Sequence, residues 1–228
     1  MSINLKNTSN LSSTNINMLI YGQAGAGKTS LIPSLPAPLI LSAEGGLLSI
    51  VRKDIEYIEI DSVSQVREVL DWINKSEEAR HFESIAIDSI TEIAHLCLSN
   101  QKEICSDPRQ AYGELQEIIG ALIREFRDLD KHVVAICNLD KTTDEMGRVL
   151  YGPSMPGQKL AQSIPYLFDL ILAMRVEKDA EGEPQRALMS ASDGLWQAKD
   201  RSGRLDAWMA PDLTAIFKTV LGEHNSRV

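Results

Sequence analysis

An α/β domain is the fold this sequence predicts: a mostly parallel central sheet flanked by helices, with an antiparallel extension of the sheet towards the C terminus. Three observations carry that expectation. Short apolar runs of strand length alternate with helical patterns from residue 17 to residue 137, the order that βαβ units require. A glycine-rich turn, Gly22-Gln23-Ala24-Gly25-Ala26-Gly27-Lys28-Thr29, joins the first run to a helical segment. Two later runs flank the turn-like stretch from Asp179 to Pro184, as the arms of an antiparallel hairpin do.

Taken in order, residues 1–16 read as a polar arm of Asn, Ser and Thr with Ile3, Leu5 and Leu11 as its apolar points. Two readings stand for it: a flexible terminus, or an arm that docks on a neighbouring subunit. Residues 17–228 read as one domain, without internal repeat or interior linker. The first strand is the run from Asn17 to Tyr21, and Pro33 and Pro36 limit the helix after the glycine-rich turn to about two turns. Pro38 to Ser42 is a second strand, and Ile55 to Ile60 alternates as a half-buried one. Val66, Val69, Leu70 and Ile73 have helical spacing, ahead of a buried strand over 84–88 and a helix over 90–98. From 110 to 129, Tyr112, Leu115, Ile118, Ile119, Leu122, Ile123, Phe126 and Leu129 make one apolar face. His132 to Cys137 is another buried strand, 169–176 and 186–192 form the hairpin, and 213–221 is a closing helix.

Composition narrows the function classes. With 228 residues, 43% hydrophobic, the chain holds a full core and is too apolar to be disordered. No apolar run approaches the roughly 18 residues of a membrane span, and the polar N terminus shows no secretory signal. Cys97, Cys105 and Cys137 are odd in number and form no Cys-x-x-Cys pair. That argues against a disulfide framework or a thiolate zinc site and fits a reducing cytoplasm. A net charge of −9 disfavours a broad basic duplex-binding surface. Yet residues 1–43 contain Lys6 and Lys28 and no acid at all, so that segment brings no carboxylate of its own near a bound polyanion.

Gly22-x-x-x-x-Gly27-Lys28-Thr29 matches the phosphate-loop pattern in full, in the strand–turn–helix context the pattern needs. Glycines let successive backbone N–H groups turn inward around phosphate oxygens. On this reading Gly22, Gln23, Ala24, Gly25, Ala26, Gly27, Lys28, Thr29 and Ser30 line a nucleotide. Lys28 reaches the β- and γ-phosphates, the Thr29 hydroxyl binds Mg2+, and the following helix N-terminus adds positive potential. A carboxylate ending a second buried strand completes the metal site, and Asp88 supplies it. Glu92 has the chemistry of a base, but Ser89-Ile90-Thr91-Glu92 has the form of a capping box at a helix start, which is the preferred reading. The nucleotide expected is ATP. A GTPase Asp-x-x-Gly fails at Thr91, and Asn138-Leu139-Asp140-Lys141 has the residue types of a guanine reader in the wrong order.

Glu44 ends the strand that follows the phosphate-loop helix, in Leu41-Ser-Ala-Glu-Gly-Gly46. With that placement the chain resembles the RecA-like P-loop ATPases, and among them the short phage-encoded RecA-like single-strand annealing proteins. The resemblance implies that Glu44 activates the attacking water, and that Asn138, ending Val133-Val-Ala-Ile-Cys-Asn138, senses the γ-phosphate. The segment from Leu139 to Pro156 resembles the family's mobile DNA-binding loop. Ala198-Lys-Asp-Arg-Ser-Gly203 resembles its late strand, whose basic residues, here Lys199 and Arg201, reach a neighbour's ATP. The alternative for that pair is a solvated basic edge guarding the sheet. The likeness runs from Met18 to Gly203 and leaves out the N-terminal helix and C-terminal domain of full-size RecA, so full strand exchange is not expected.

The implied function is ATP-dependent binding of single-stranded DNA to promote annealing or recombination of phage DNA. The implied setting is a homo-oligomer in the bacterial cytoplasm, with a single-strand-binding protein as a further partner. Lys102 and Arg109 between residues 99 and 112, and Lys141, Arg148 and Tyr151 between 139 and 156, are the candidate DNA contacts. Both stretches also hold acids, so composition alone reads them as solvated loops, whereas a ring or filament would line them into one groove. The runner-up is an ATP-gated assembly or regulatory module that does not bind DNA. A hexameric helicase motor ranks lower, because the accessory domain it needs is not visible in this length.

Overall fold

The computed structural model describes residues 15–178 and 181–222. The side-chain amide of Asn15 donates to Asp130 Oδ1 at 2.9 Å. Of the arm expected over 1–16, residues 1–14 lie outside the described residues, while Ile16 is already buried. The strands are β1 (Asn17–Gly22), β2 (Pro38–Ser42), β3 (Tyr57–Glu59), β4 (Ser84–Asp88), β5 (His132–Thr143), β6 (Val149–Pro153), β7 (Leu170–Lys178), β8 (Pro184–Met189), β9 (Lys199–Asp200) and β10 (Trp208–Met209). The helices are α1 (Val63–Lys75), α2 (Ile90–Ile104), α3 (Pro108–Arg127), α4 (Gln158–Ser163) and α5 (Leu213–Leu221).

Among the described residues the sheet order is β10-β8-β7-β1-β5-β4-β2-β3, with β6 paired to β5 and β9 to β7. From β7 to β3 neighbours run parallel, while β8, β10, β6 and β9 pair antiparallel. This is the mixed α/β architecture the sequence predicts, including the antiparallel C-terminal extension. Side chains alternate across the central strands. Leu19, Tyr21, Leu39, Leu41, Ile85 and Ile87 face a core closed by α1, α2 and α3. Met18, Ile20, Ile40, Ala86 and Ile136 face the other core, closed by Leu31, Ile32 and the Leu213, Ile216 and Phe217 side chains of α5. Burying one such Leu or Ile is worth about 1.5–3 kcal/mol.

Capping side chains fix where the helices begin. Ser62 accepts from the Gln65 N–H at the start of α1, and Asp212 accepts from the Thr214 and Ala215 N–H groups at the start of α5. Asp107 accepts from the Arg109 N–H at 2.8 Å, with Pro108 at the first position of α3. Each satisfies a donor that the first helical turn leaves unpaired.

The helix of about two turns expected after the glycine-rich turn is present as a 3-10 helix, Thr29–Ser34, with Pro33 inside it; Pro33 has no N–H to continue an α-helix. Two expectations are corrected. Residues 99–112 are not a loop: α2 runs to Ile104, and the Asp107–Pro108 cap starts α3 three residues later. Residues 139–156 are largely a β-hairpin in which β5 continues to Thr143 and returns as β6. Its turn is held by Asp144 Oδ1, which accepts from the Met146 and Arg148 N–H groups, both at 2.9 Å, with Gly147 at φ +79°.

Candidate functional site

The site forms where the central parallel strands end. Register places Gly22 beside Asn138 on one side and Met174 on the other, and pairs Ser42 with Asp88. The C-terminal ends of parallel strands are where open α/β sheets bind ligands. Gly22 is required by packing: a β-carbon there would stand 2.7 Å from the Met174 carbonyl oxygen.

Lys28 is buried, and its Nζ donates back to the carbonyls of Gly22 at 2.9 Å and Gln23 at 3.1 Å. Burial lowers the pKa of this ammonium, opposed by the charges of Glu44 and Asp88. The amine is thus folded over the loop on weak acceptors, which an incoming phosphate can replace with charge-assisted bonds. The helix after the loop is a short 3-10 helix, so a bound anion would gain little there from a helix dipole.

The Thr29 hydroxyl donates to Asp88 Oδ2 at 2.8 Å. Asp88 is 3% exposed. Burial raises its carboxyl above the usual range, the Thr29 hydrogen bond opposes that, and the Glu44 charge adds to it. Hydroxyl and carboxylate side by side are an oxygen donor set that fits Mg2+, a hard cation that takes oxygen ligands.

On the other flank, Glu44 Oε1 accepts from the Asn138 side-chain amide at 3.1 Å and from the Ser89 hydroxyl. Ser89 Oγ also accepts from the Glu92 N–H, so the residue that caps α2 also orients Glu44. The Ala43 and Glu44 N–H groups both donate to the Asp88 carbonyl, which ties this carboxylate to the metal-side strand. Thr91 Oγ1 accepts from the Asn138 N–H and donates to the Ser154 carbonyl, each at 3.0 Å. A cleft of about 810 Å3 lies between these groups, lined by Gln23, Ala24, Ala43, Glu44, Glu92, Asn138, Leu139 and Lys141.

The structure therefore brings together Lys28, Thr29, Asp88, Glu44 and Asn138. It does not bring Lys199 and Arg201 to the loop of their own chain. β9 pairs with Leu170 and Ile171 at the start of β7, the opposite end of the sheet from Gly22. There Lys199 Nζ donates to the carbonyls of Pro165 at 2.9 Å and Phe168 at 2.6 Å, and burial lowers its pKa. Arg201 pairs with Asp169 at 2.8 Å and reaches the Tyr166 carbonyl.

Of the candidate DNA contacts, Lys141 stands over the Tyr151 ring, 5.7 Å from its centroid, on the β5–β6 hairpin. Tyr151 in turn stacks on Trp196 at 4.3 Å and 11°. Arg148 is paired with Asp144 in the turn. Lys102, in the last turn of α2, stands over Tyr112, and Arg109 is exposed in the first turn of α3. Tyr112 packs where a β-carbon on Gly157 would be 2.9 Å away, so the α2–α3 corner borders the segment that follows β6. Sequence reasoning read Ser89 only as a cap and passed over Thr91 as a link to Asn138. Its one available signal was position, two residues into the helix that follows Asp88.

A family model described as an AAA domain matches residues 14–202. The chain belongs to that family. This AAA domain carries its phosphate loop, Asp88, Glu44 and Asn138 all inside the matched span. Among solved structures, it is similar to a KaiC-like protein from the hyperthermophilic archaeon Pyrococcus horikoshii OT3, with a TM-score of 0.47 and 13% identity over 76% of this chain and 77% of that one. No curated protein matches it. Among the described residues, no helix is long and apolar enough to cross a membrane.

Proposed function

We propose that this AAA domain binds ATP with Mg2+ and hydrolyses it, and that it uses the cycle to act on single-stranded DNA. The observation that carries the ATPase reading is the meeting of Lys28, Thr29 and Asp88 with the Glu44–Asn138 pair at one end of the central strands. Lys28 leaves the loop carbonyls to bind phosphate oxygens. Thr29 and Asp88 would hold Mg2+, which would supply positive charge against the phosphates when bound. Glu44 holds the attacking water: Ser89 and Asn138 occupy its Oε1, and Oε2 accepts from the water. Positioning of this kind, rather than covalent chemistry, is what phosphoryl transfer asks of a protein. Glu44→Gln should leave Mg-ATP affinity within a few-fold and cut turnover roughly 10²–10⁴-fold; unchanged turnover would remove Glu44 from the chemistry.

The DNA part of the reading rests on continuity. Asn138, which bonds Glu44, lies on the strand that goes on into the β5–β6 hairpin, and that hairpin presents Lys141 beside Tyr151. A change at the γ-phosphate thus has a direct mechanical route to a cation–aromatic pair of the kind that stacks and neutralises single strands. In this reading the protein promotes annealing or recombination of phage DNA in a bacterial cytoplasm. It does so as a homo-oligomer, with Lys199 and Arg201 released to a neighbour's ATP. The runner-up, an ATP-gated module that does not bind DNA, is favoured by the Arg148–Asp144 pair, which commits one of the hairpin's cations internally. A mobility-shift and ATPase assay with single-stranded DNA separates them: a shifted complex or stimulated turnover supports the DNA reading, and neither supports the module.

A further inference from the structure

A second cation meets the phosphate loop from outside the motif. Arg186 lies in β8 opposite Val176 of β7, two residues beyond the Met174–Gly22 pair at the end of β1. The hairpin thus overhangs the loop. Side chains alternate along β8, so Arg186 shares a face with Leu188, which packs in the same core as Ala26 of the loop. At Arg186 that face has passed the edge of the core and stands over the loop. A β-carbon on Gly27, whose φ is +98°, would stand 3.1 Å from Arg186 Nη1, 3.2 Å from Cζ and 3.4 Å from Nε. Three near-equal distances mean that the guanidinium lies flat on the bare face of Gly27. With no side chain of its own, Gly27 lets the guanidinium come this close to the loop. The chain carries 32 acids against 23 bases, yet no ion pair among the described residues uses Arg186.

We propose that Arg186 is a phosphate-binding residue of the nucleotide site and acts in cis, its fork of N–H donors taking phosphate oxygens of the ATP held by its own loop. The proposal rests on the ATP reading above and adds a ligand that the motif does not contain. It gives the β7–β8 hairpin a part in closing the site, and it gives Gly27 a second reason to lack a side chain. Arginine suits the position because its planar fork matches phosphate oxygens two at a time, which the single ammonium of lysine does not.

The test is Mg-ATP affinity, measured at a protein concentration where sedimentation shows single subunits, for the wild-type chain, Arg186→Ala and Arg186→Lys. The expected result is a loss of roughly 10- to 100-fold for Arg186→Ala, the worth of a charge-assisted bond or bidentate pair. Arg186→Lys should recover part of it, with melting temperatures unchanged because the side chain is exposed. Equal affinity for the wild type and Arg186→Ala overturns the proposal and leaves the ATP reading standing. A loss that appears only on assembly overturns action in cis. A wild-type chain that binds no Mg-ATP overturns the ATP reading itself.

Discussion

Two hairpins flank the phosphate loop, one on each side of β1, and they are joined to it by different chemistry. On one side, β5 runs past Asn138 into β6, and its link to the site is a set of directional hydrogen bonds from Glu44 and Ser89 through Asn138 to Thr91 and Ser154. On the other side, β7 runs past Met174 into β8, and its link is one guanidinium lying against Gly27. On the proposed reading, in which Glu44 holds the attacking water, these directional bonds would make the first hairpin a reporter of the γ-phosphate. A flat cationic contact needs no exact alignment, which suits the second to holding the ligand. If both proposals hold, the difference teaches that a sensing arm and a clamping arm can grow from the two strands that flank β1 in one sheet.

The sharpest way to break this comparison is to mix variants. In the proposed assembly, Arg201 acts across an interface and Arg186 within a chain. Arg201→Ala should lower turnover by roughly 10³-fold or more, as removal of an arginine finger does. Mixing it with Glu44→Ala should restore activity, because one mixed interface then regains both groups. Arg186→Ala mixed with Glu44→Ala should restore none, since no site then holds both. Rescue of both pairs, or of neither, erases the distinction.

A smaller effect is expected at the sensing arm. Asn138→Ala removes one positioned donor to Glu44 and should cut turnover about 10²-fold, the usual cost of losing such a donor. Mg-ATP affinity should change little, and any response to single-stranded DNA should vanish with the link. Kinetics that keep the DNA response would show that the hairpin is driven from elsewhere.

The smallest effect tests the hairpin alone. The backbone and side-chain donors of Arg148, with the Met146 N–H, hold the Asp144 carboxyl below the usual range. A depressed acid stabilises above its unfolded value, and that contribution is lost as pH falls through the folded one. Amide exchange in residues 139–153 should therefore stay slow through the ordinary carboxylate range and quicken only at more acid pH. Asp144→Ala should quicken it at neutral pH, with the melting temperature nearly unchanged.

Much of this was legible in the sequence because it is local. The phosphate loop, the buried strand ending in Asp88 and the turn between β7 and β8 each announce themselves within a few residues, and α5 begins and ends where its apolar spacing does. The β5–β6 hairpin was missed although its turn, Asp144 to Gly147, is as local as the other. The likeness to a mobile loop outweighed the β-branched Thr142, Thr143 and Val149 around it. The α2–α3 corner was missed in the same way, although Asp107 followed by Pro108 is a plain helix start. Positions that depend on register could not be read. Nothing local places Lys199 at the far end of β7 or Arg186 over Gly27, because both follow from how strands pair across the sheet.

The central claim is that the loop between β1 and the Thr29–Ser34 helix is an ATP site in which Lys28 exchanges backbone carbonyls for phosphate. Calorimetric titration of Mg-ATP into the wild-type chain and into Lys28→Ala tests it directly. The account predicts saturable binding to the first and affinity lower by about 10²-fold or more in the second, because charge-assisted bonds to a buried ammonium are lost. Equal affinity in both would contradict it.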